Sequence, residues 1–197
     1  MMEPVAGAVI TTQRLFLRIL EQADLPAMKR VLQDEQTMYA YEHAFDDQEA
    51  QEWLDRQRAR YVEYGFGLWG VFLRASGRMI GQCGVTMQDC GGACVPEIGY
   101  LLERVHWHCG YAAEAACACR NYAFDVLGFD EVFSIIRDTN FASQRVARRM
   151  GMNPRGMIVK HYYGIDTVSY THLVMIRASG IVAVSVLYSQ FPSEQDV

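Results

Sequence analysis

Pro96-Glu97-Ile98-Gly99-Tyr100-Leu101-Leu102 is an extended apolar run that leads through Glu103-Arg104-Val105-His106 into Trp107-His108-Cys109-Gly110-Tyr111-Ala112, then into a helical run from Ala113 to Leu127. The order is strand, glycine turn, helix. Such a turn leaves backbone N–H groups unpaired at the helix N-terminus, where the helix dipole also favours negative charge, so it can hold a phosphate or pyrophosphate. Gly110 would let that ligand approach the backbone closely. A second strand-like run, Glu131-Val132-Phe133-Ser134-Ile135-Ile136, is followed by Asp138-Thr139-Asn140-Phe141-Ala142-Ser143 and a short helical pattern ending at Met150-Gly151. Two strand-to-helix units in series predict an α/β domain that binds ligands at the carboxyl ends of its strands.

Toward the N-terminus, Leu15 to Ile19 alternates as a first strand, and Asp24 followed by Pro26 reads as an N-cap and early-helix proline opening a helix through Leu32. Met38 to Phe45 is aromatic and irregular. Asp46-Asp47 caps a helix from Gln48 to Tyr64 that stops at Gly65. Leu68 to Leu73 and Met79 to Met87 are strands joined by Arg74-Ala75-Ser76-Gly77, and the glycine-rich stretch from Asp89 to Ala93 turns the chain into the Glu97 strand. Gly99, inside that apolar strand, reads as a bulge or a close approach of another backbone. Beyond Gly151, Gly156 to Tyr163 and Thr167 to Ile176 form a hairpin around Gly164-Ile165-Asp166. One domain, residues 1–178, is expected. The tail, residues 179–197, could add a strand or pack on a second copy, so a homodimer is among the expected assemblies.

With 197 residues and 51% hydrophobic content, the chain can bury one sizeable core, and two domains would be cramped. A net charge of −5 without any long basic run argues against nucleic acid as a partner, because phosphate neutralisation needs clustered Lys and Arg. A mildly acidic surface suits a cationic substrate such as an amine. Met1 to Ile10 lacks a basic n-region, and Ile181 to Tyr188 is too short an apolar run to span a bilayer, so no membrane partner is expected. The six cysteines form no Cys-x-x-Cys pair, which fits reduced thiols in a cytoplasmic protein. His106, His108 and Cys109 form the one cluster that suggests a metal, but a fourth ligand at recognisable spacing is missing and none is expected.

At these residues the chain resembles the GNAT superfamily of acetyl-CoA-dependent N-acetyltransferases, and within it the group that acetylates ribosomal-protein N-termini. The likeness is carried by Glu97-Ile98-Gly99-Tyr100, by Trp107-His108-Cys109-Gly110-Tyr111-Ala112-Ala113-Glu114-Ala115, and by Asn140-Phe141-Ala142-Ser143 with a closing Gly151. It implies an α/β (α+β) fold: a mixed, mostly antiparallel sheet of roughly six to seven strands with helices on both faces, splayed at strands four and five. It implies acetyl-CoA as co-substrate, with Tyr100, Leu101, Leu102, Arg104, His108, Cys109, Gly110, Tyr111, Ala112, Asn140 and Ser143 as its contacts. The distortion at Gly99 would splay the two parallel strands. Tyr39, Tyr41, His43 and Phe45 would wall the acceptor site, although a hydrophobic plug over the sheet is the competing reading. The chain departs from the pattern in three places. His108 replaces the first turn glycine, Cys109 replaces the usual basic residue between the glycines, and Ala147 stands where many members place a tyrosine general acid.

Acyl transfer from a thioester to an amine requires a neutral nucleophile, oxyanion stabilisation and a proton for the leaving thiolate. An α-amino group, with a pKa of about 7.7 to 8.0, is partly neutral at cytosolic pH, whereas a lysine at about 10.4 is almost wholly charged. A weak base suffices for the former. The resemblance assigns that role to Glu97, acting through a water, with a hydrogen-bonded strand glutamate as the alternative. It places Ser143 near the thioester sulfur, so thiolate protonation falls to Ser143 or water; Asn140 would hold the pantetheine or serve simply as an N-cap. Three functions compete: acetylation of a peptide or protein N-terminus, acetylation of a small polyamine or aminoglycoside, and a GNAT-fold regulatory module that binds CoA weakly.

Overall fold

The computed structural model describes residues 5–41, 43–162 and 165–177, so the expected tail, residues 179–197, and Gly164 of the last turn lie outside the described residues. Among the described residues eight strands form one sheet: β1 (Ile10–Thr11), β2 (Leu15–Arg18), β3 (Leu68–Leu73), β4 (Met79–Cys90), β5 (Ala93–Leu102), β6 (Glu131–Arg137), β7 (Asn153–Tyr162) and β8 (Ile165–Ile176). Their spatial order is β1-β2-β3-β4-β5-β6-β8-β7. The added two-residue β1, at the sheet edge beside β2, makes the Glu97 strand fifth rather than fourth. All neighbours are antiparallel except β5 and β6, which the chain joins through a helix, as a parallel crossover requires.

Helices cover both faces. On one, α1 (Leu25–Leu32) and α2 (Asp47–Tyr64) bury Met28, Leu32, Ala50 and Leu54 against Phe72 and Met79. On the other, α3 (Tyr111–Asp125) and α4 (Phe141–Arg149) pack Ala115, Ala116, Cys119, Val146 and Ala147 on Val71, Ile80, Val85 and Ile98. The alanines let α3 settle close to the sheet, so that the Cys83 and Cys119 sulfurs lie 3.5 Å apart.

Local signals hold for α2, where Asp46 accepts from the Glu49 N–H and Gly65 ends the helix at φ 77°. They fail at Asp24. That residue is already helical and caps nothing by its side chain on α1. Its carboxylate instead takes two hydrogen bonds from Arg18 and one from the Glu21 N–H, closing the 3-10 turn Gln22–Asp24. A charged partner outcompetes the open N–H groups of the next helix.

Gly99 also differs from expectation. The β4–β5 register runs without a break from Gly81↔Leu102 to Cys90↔Ala93, so β5 carries no bulge against β4. A Cβ on Gly99 would meet only Leu68 Cδ2 at 3.5 Å, an ordinary contact. Its partner Gly84 is the position of close approach: a Cβ there would lie 2.0 Å from the Gly67 carbonyl oxygen. Chemical denaturation should therefore find Gly99→Ala within about 0.5 kcal/mol of the parent, and Gly84→Ala lower by roughly 2 kcal/mol or more.

Candidate active site

β5 and β6 pair at Glu97↔Phe133, and beyond that point they part. Gly99 to Leu102 keep their ladder to β4, while backbone groups at the parting need other partners. Two side chains supply them. Ser134 Oγ donates to the Ile98 carbonyl at 3.1 Å, and Glu97 Oε1 accepts from the Ile135 N–H at 3.0 Å. The hydrogen-bonded reading of Glu97 is thus realised, and the carboxylate sits at the crotch of a fork.

On the α3–α4 side of the fork, the half-buried Tyr100 reaches α4: its hydroxyl donates to the Ser143 carbonyl at 2.9 Å. Burial pushes the phenol pKa up, so it stays a donor at neutral pH. Asn140 caps α4 by accepting from the Ser143 N–H at 3.0 Å. Tyr100, Asn140 and Ser143 are therefore one connected group, while Ala147 is fully buried in the core.

The loop from β5 to α3 has the backbone of a glycine turn despite its sequence. His108 stands at φ 58°, the only non-glycine with positive φ among the described residues, and Gly110 at φ 73°. Trp107 packs beneath, its indole N–H donating to the Leu102 carbonyl at 2.9 Å. Among the described residues no side chain caps α3, so the N–H groups of its first turn, beginning at Tyr111 and Ala112, have no side-chain acceptor. The buried Glu114 in that turn accepts from Thr12 Oγ1, from the Arg14 N–H at 2.9 Å and from Arg14 Nε at 2.7 Å. Arg14 in turn donates through Nη1 to the Cys109 carbonyl at 2.9 Å and lies 4.5 Å over the Tyr111 ring.

Arg104 opens the short turn Arg104–His106 that leads into this loop. Its guanidinium binds Gln36 Oε1 at 2.8 Å and Asp34 Oδ2 at 3.2 Å, fastening the loop's approach to the segment after α1, because a close carboxylate holds it there. His106 lies 3.9 Å from Glu103, with burial lowering its pKa, and among the described residues no three His, Cys, Asp or Glu side chains converge on a metal position. Leu101 packs on the opposite face, with the α1–α2 core.

Tyr39, Tyr41 and His43, with Glu35, Met38 and Ala44, line a cleft of about 310 Å³ formed by the segment that joins α1 to α2. The Tyr39 carbonyl accepts from Arg137 Nη1 at 3.1 Å, tying the cleft to the end of β6. His43 is held by Glu49 at 2.7 Å. Phe45 instead packs with Trp53 at 5.6 Å between ring centroids, and Tyr41 meets the same indole edge-on at 5.9 Å. Successive residues of one segment are thus divided between lining the cleft and packing on α2.

Sequence reasoning missed Arg14 and gave Glu114 no role. Thr12-Gln13-Arg14 reads only as a polar turn before a strand, and nothing local to it signals a partner about a hundred residues away. The left-handed His108 makes a stability prediction. His108→Gly should raise the unfolding free energy by up to about 1 kcal/mol in thermal or chemical denaturation, since a side chain costs about that much in this conformation and the exposed imidazole packs on little.

Among solved structures, the RimL ribosomal L7/L12 alpha-N-protein acetyltransferase in complex with coenzyme A superposes with TM-score 0.70 at 18% identity, over 86% of this chain and 97% of that one. Spermidine N-acetyltransferase from Vibrio cholerae, in complex with CoA and spermine, gives 0.68 at 14%, over 84% and 96%. At these identities the likeness is one of fold. In sequence, the uncharacterized protein YkkB of Bacillus subtilis is 35% identical over 149 residues, 75% of this chain and 87% of that protein. The acetyltransferase (GNAT) domain model matches residues 14–153, from Arg14 before β2 to the first residue of the strand after α4, and the chain belongs to that family.

Proposed function

We propose that this acetyltransferase moves the acetyl group of acetyl-CoA to the amine of a peptide or protein N-terminus, in the cytoplasm, by direct attack in a ternary complex. The cleft lining is the observation that favours a peptide. Among Glu35, Met38, Tyr39, Tyr41, His43 and Ala44 only Glu35 carries a carboxylate, whereas a polyamine with several ammonium groups calls for several. Aromatic walls suit a peptide's first side chains. The fold's resemblance to a spermidine acetyltransferase keeps the small amine as the alternative.

In this reading the pantetheine arm enters the fork and pairs with the open side of β5 at Tyr100 to Leu102, and the pyrophosphate meets the loop His108 to Ala112. Glu97 accepts the amine proton through a water. The amine then attacks the thioester carbon, the C–S bond breaks, and the thiolate takes its proton from Ser143 or water. Ser143 is held for this by Asn140.

A thiol-release assay over N-terminal peptides, polyamines and aminoglycosides should show turnover with peptides at a kcat/KM well above that of any small amine. The reverse order would replace the acceptor class. Absence of a thermal shift with acetyl-CoA would support the non-catalytic module. Glu97→Gln isolates the charge, because the amide oxygen can still accept from the Ile135 N–H. It should keep acetyl-CoA binding and lower turnover roughly 10²-fold near neutral pH. The loss should shrink as pH rises and the acceptor amine deprotonates unaided; a uniform loss at every pH would assign Glu97 to positioning. Ser143→Ala should lower kcat more than it raises the acetyl-CoA KM, because a bond to the developing thiolate strengthens only in the transition state.

A further inference from the structure

The phosphate loop of this chain lacks a basic residue between His108 and Gly110, where Cys109 stands. We propose that Arg14, from the turn between β1 and β2, supplies the missing cation: it positions the loop and presents its free N–H groups to the cofactor's phosphates. This rests on the reading that acetyl-CoA binds here.

Three contacts fix the guanidinium. Nε is bound to Glu114 Oε2 at 2.7 Å, Nη1 to the Cys109 carbonyl at 2.9 Å, and the guanidinium carbon lies 4.5 Å over the Tyr111 ring. Nη2 has no hydrogen-bond partner among the described residues and lies 3.3 Å from where a Gly110 Cβ would be. It therefore stands on the side of the loop that the glycine leaves open, beside the first turn of α3. The Arg14 side chain is 43% exposed while the Glu114 side chain is 3% exposed, so the carboxylate is the buried anchor and the guanidinium faces outward. Glu114 also takes the Thr12 hydroxyl and the Arg14 backbone N–H, which holds the whole turn, not the side chain alone, at the helix N-terminus.

A planar fork suits this task. Arginine can keep Glu114 on one edge and the Cys109 carbonyl on the next while a third set of N–H groups remains for a phosphate oxygen; a lysine ammonium cannot reach all three. The cation also compensates a carboxylate placed in the first helical turn, where Glu114 alone would cancel the attraction of the helix N-terminus for an anion.

Arg14→Lys and Arg14→Ala are measured with two acetyl donors: acetyl-CoA, and S-acetylpantetheine, which carries the thioester without any phosphate. The expected result is a kcat/KM for acetyl-CoA lower by roughly tenfold or more in both variants, the value of a charge-assisted bond, with S-acetylpantetheine turnover within about twofold of the parent. Arg14→Lys keeps a charge opposite Glu114, so it should remain folded even if Arg14→Ala does not; melting curves without ligand check this. Equal losses with both donors would show that Arg14 only supports the fold, and unchanged acetyl-CoA kinetics in Arg14→Lys would overturn the proposal outright. If the parent protein itself shows no calorimetric affinity for CoA, the acetyl-CoA reading fails first.

Discussion

The parting of β5 from β6 is the constraint on which the site depends. A parallel pair that stops after one register position leaves backbone donors and acceptors without a ladder, and each buried group left unpaired costs about 1–3 kcal/mol. Glu97 and Ser134 cross the gap and satisfy the first of them, one as acceptor and one as donor. The fork can therefore stay open without collapsing into a longer sheet. The position of this carboxylate is therefore fixed by a structural task, pairing a backbone N–H that the parting strands leave open.

Around the fork, the molecule uses long-range polar contacts as fasteners. Tyr100 ties β5 to the start of α4, Arg137 ties β6 to the Tyr39 cleft, and Arg104 ties the approach of the β5–α3 loop to the segment after α1. Each joins an element on one side of the fork to one carrying a different part of the site. Preorganisation of this kind reduces what a ligand must order on binding.

His108 shows how a departure from a motif can leave its geometry intact. The glycine's left-handed backbone is kept at φ 58° by a residue that strains to adopt it, with Gly110 beyond it at φ 73°. Trp107, bonded to the Leu102 carbonyl, and Arg14, bonded to the Cys109 carbonyl, brace the loop from either side of His108 and give that strain a reason to persist.

Much of the fold was legible in the chain because its signals are local: strand alternation, the Asp46 cap and Gly65 stop of α2, the Asn140 cap of α4, and the glycine turn before α3 all act within a few residues. The motifs from Glu97 to Gly151 pointed to the right superfamily for the same reason. Asp24 was misread because Arg18 claims its carboxylate; at Gly99 the bulge is absent against β4, although β5 does part from β6 just beyond Glu97. Arg104 went to Gln36, and Arg14 to Glu114, across 68 and 100 residues. A long cationic side chain reads alike at every surface position, so only the tertiary structure decided which arginine faces the loop: the charge finds whichever carboxylate and carbonyl the packed sheet brings within hydrogen-bond reach.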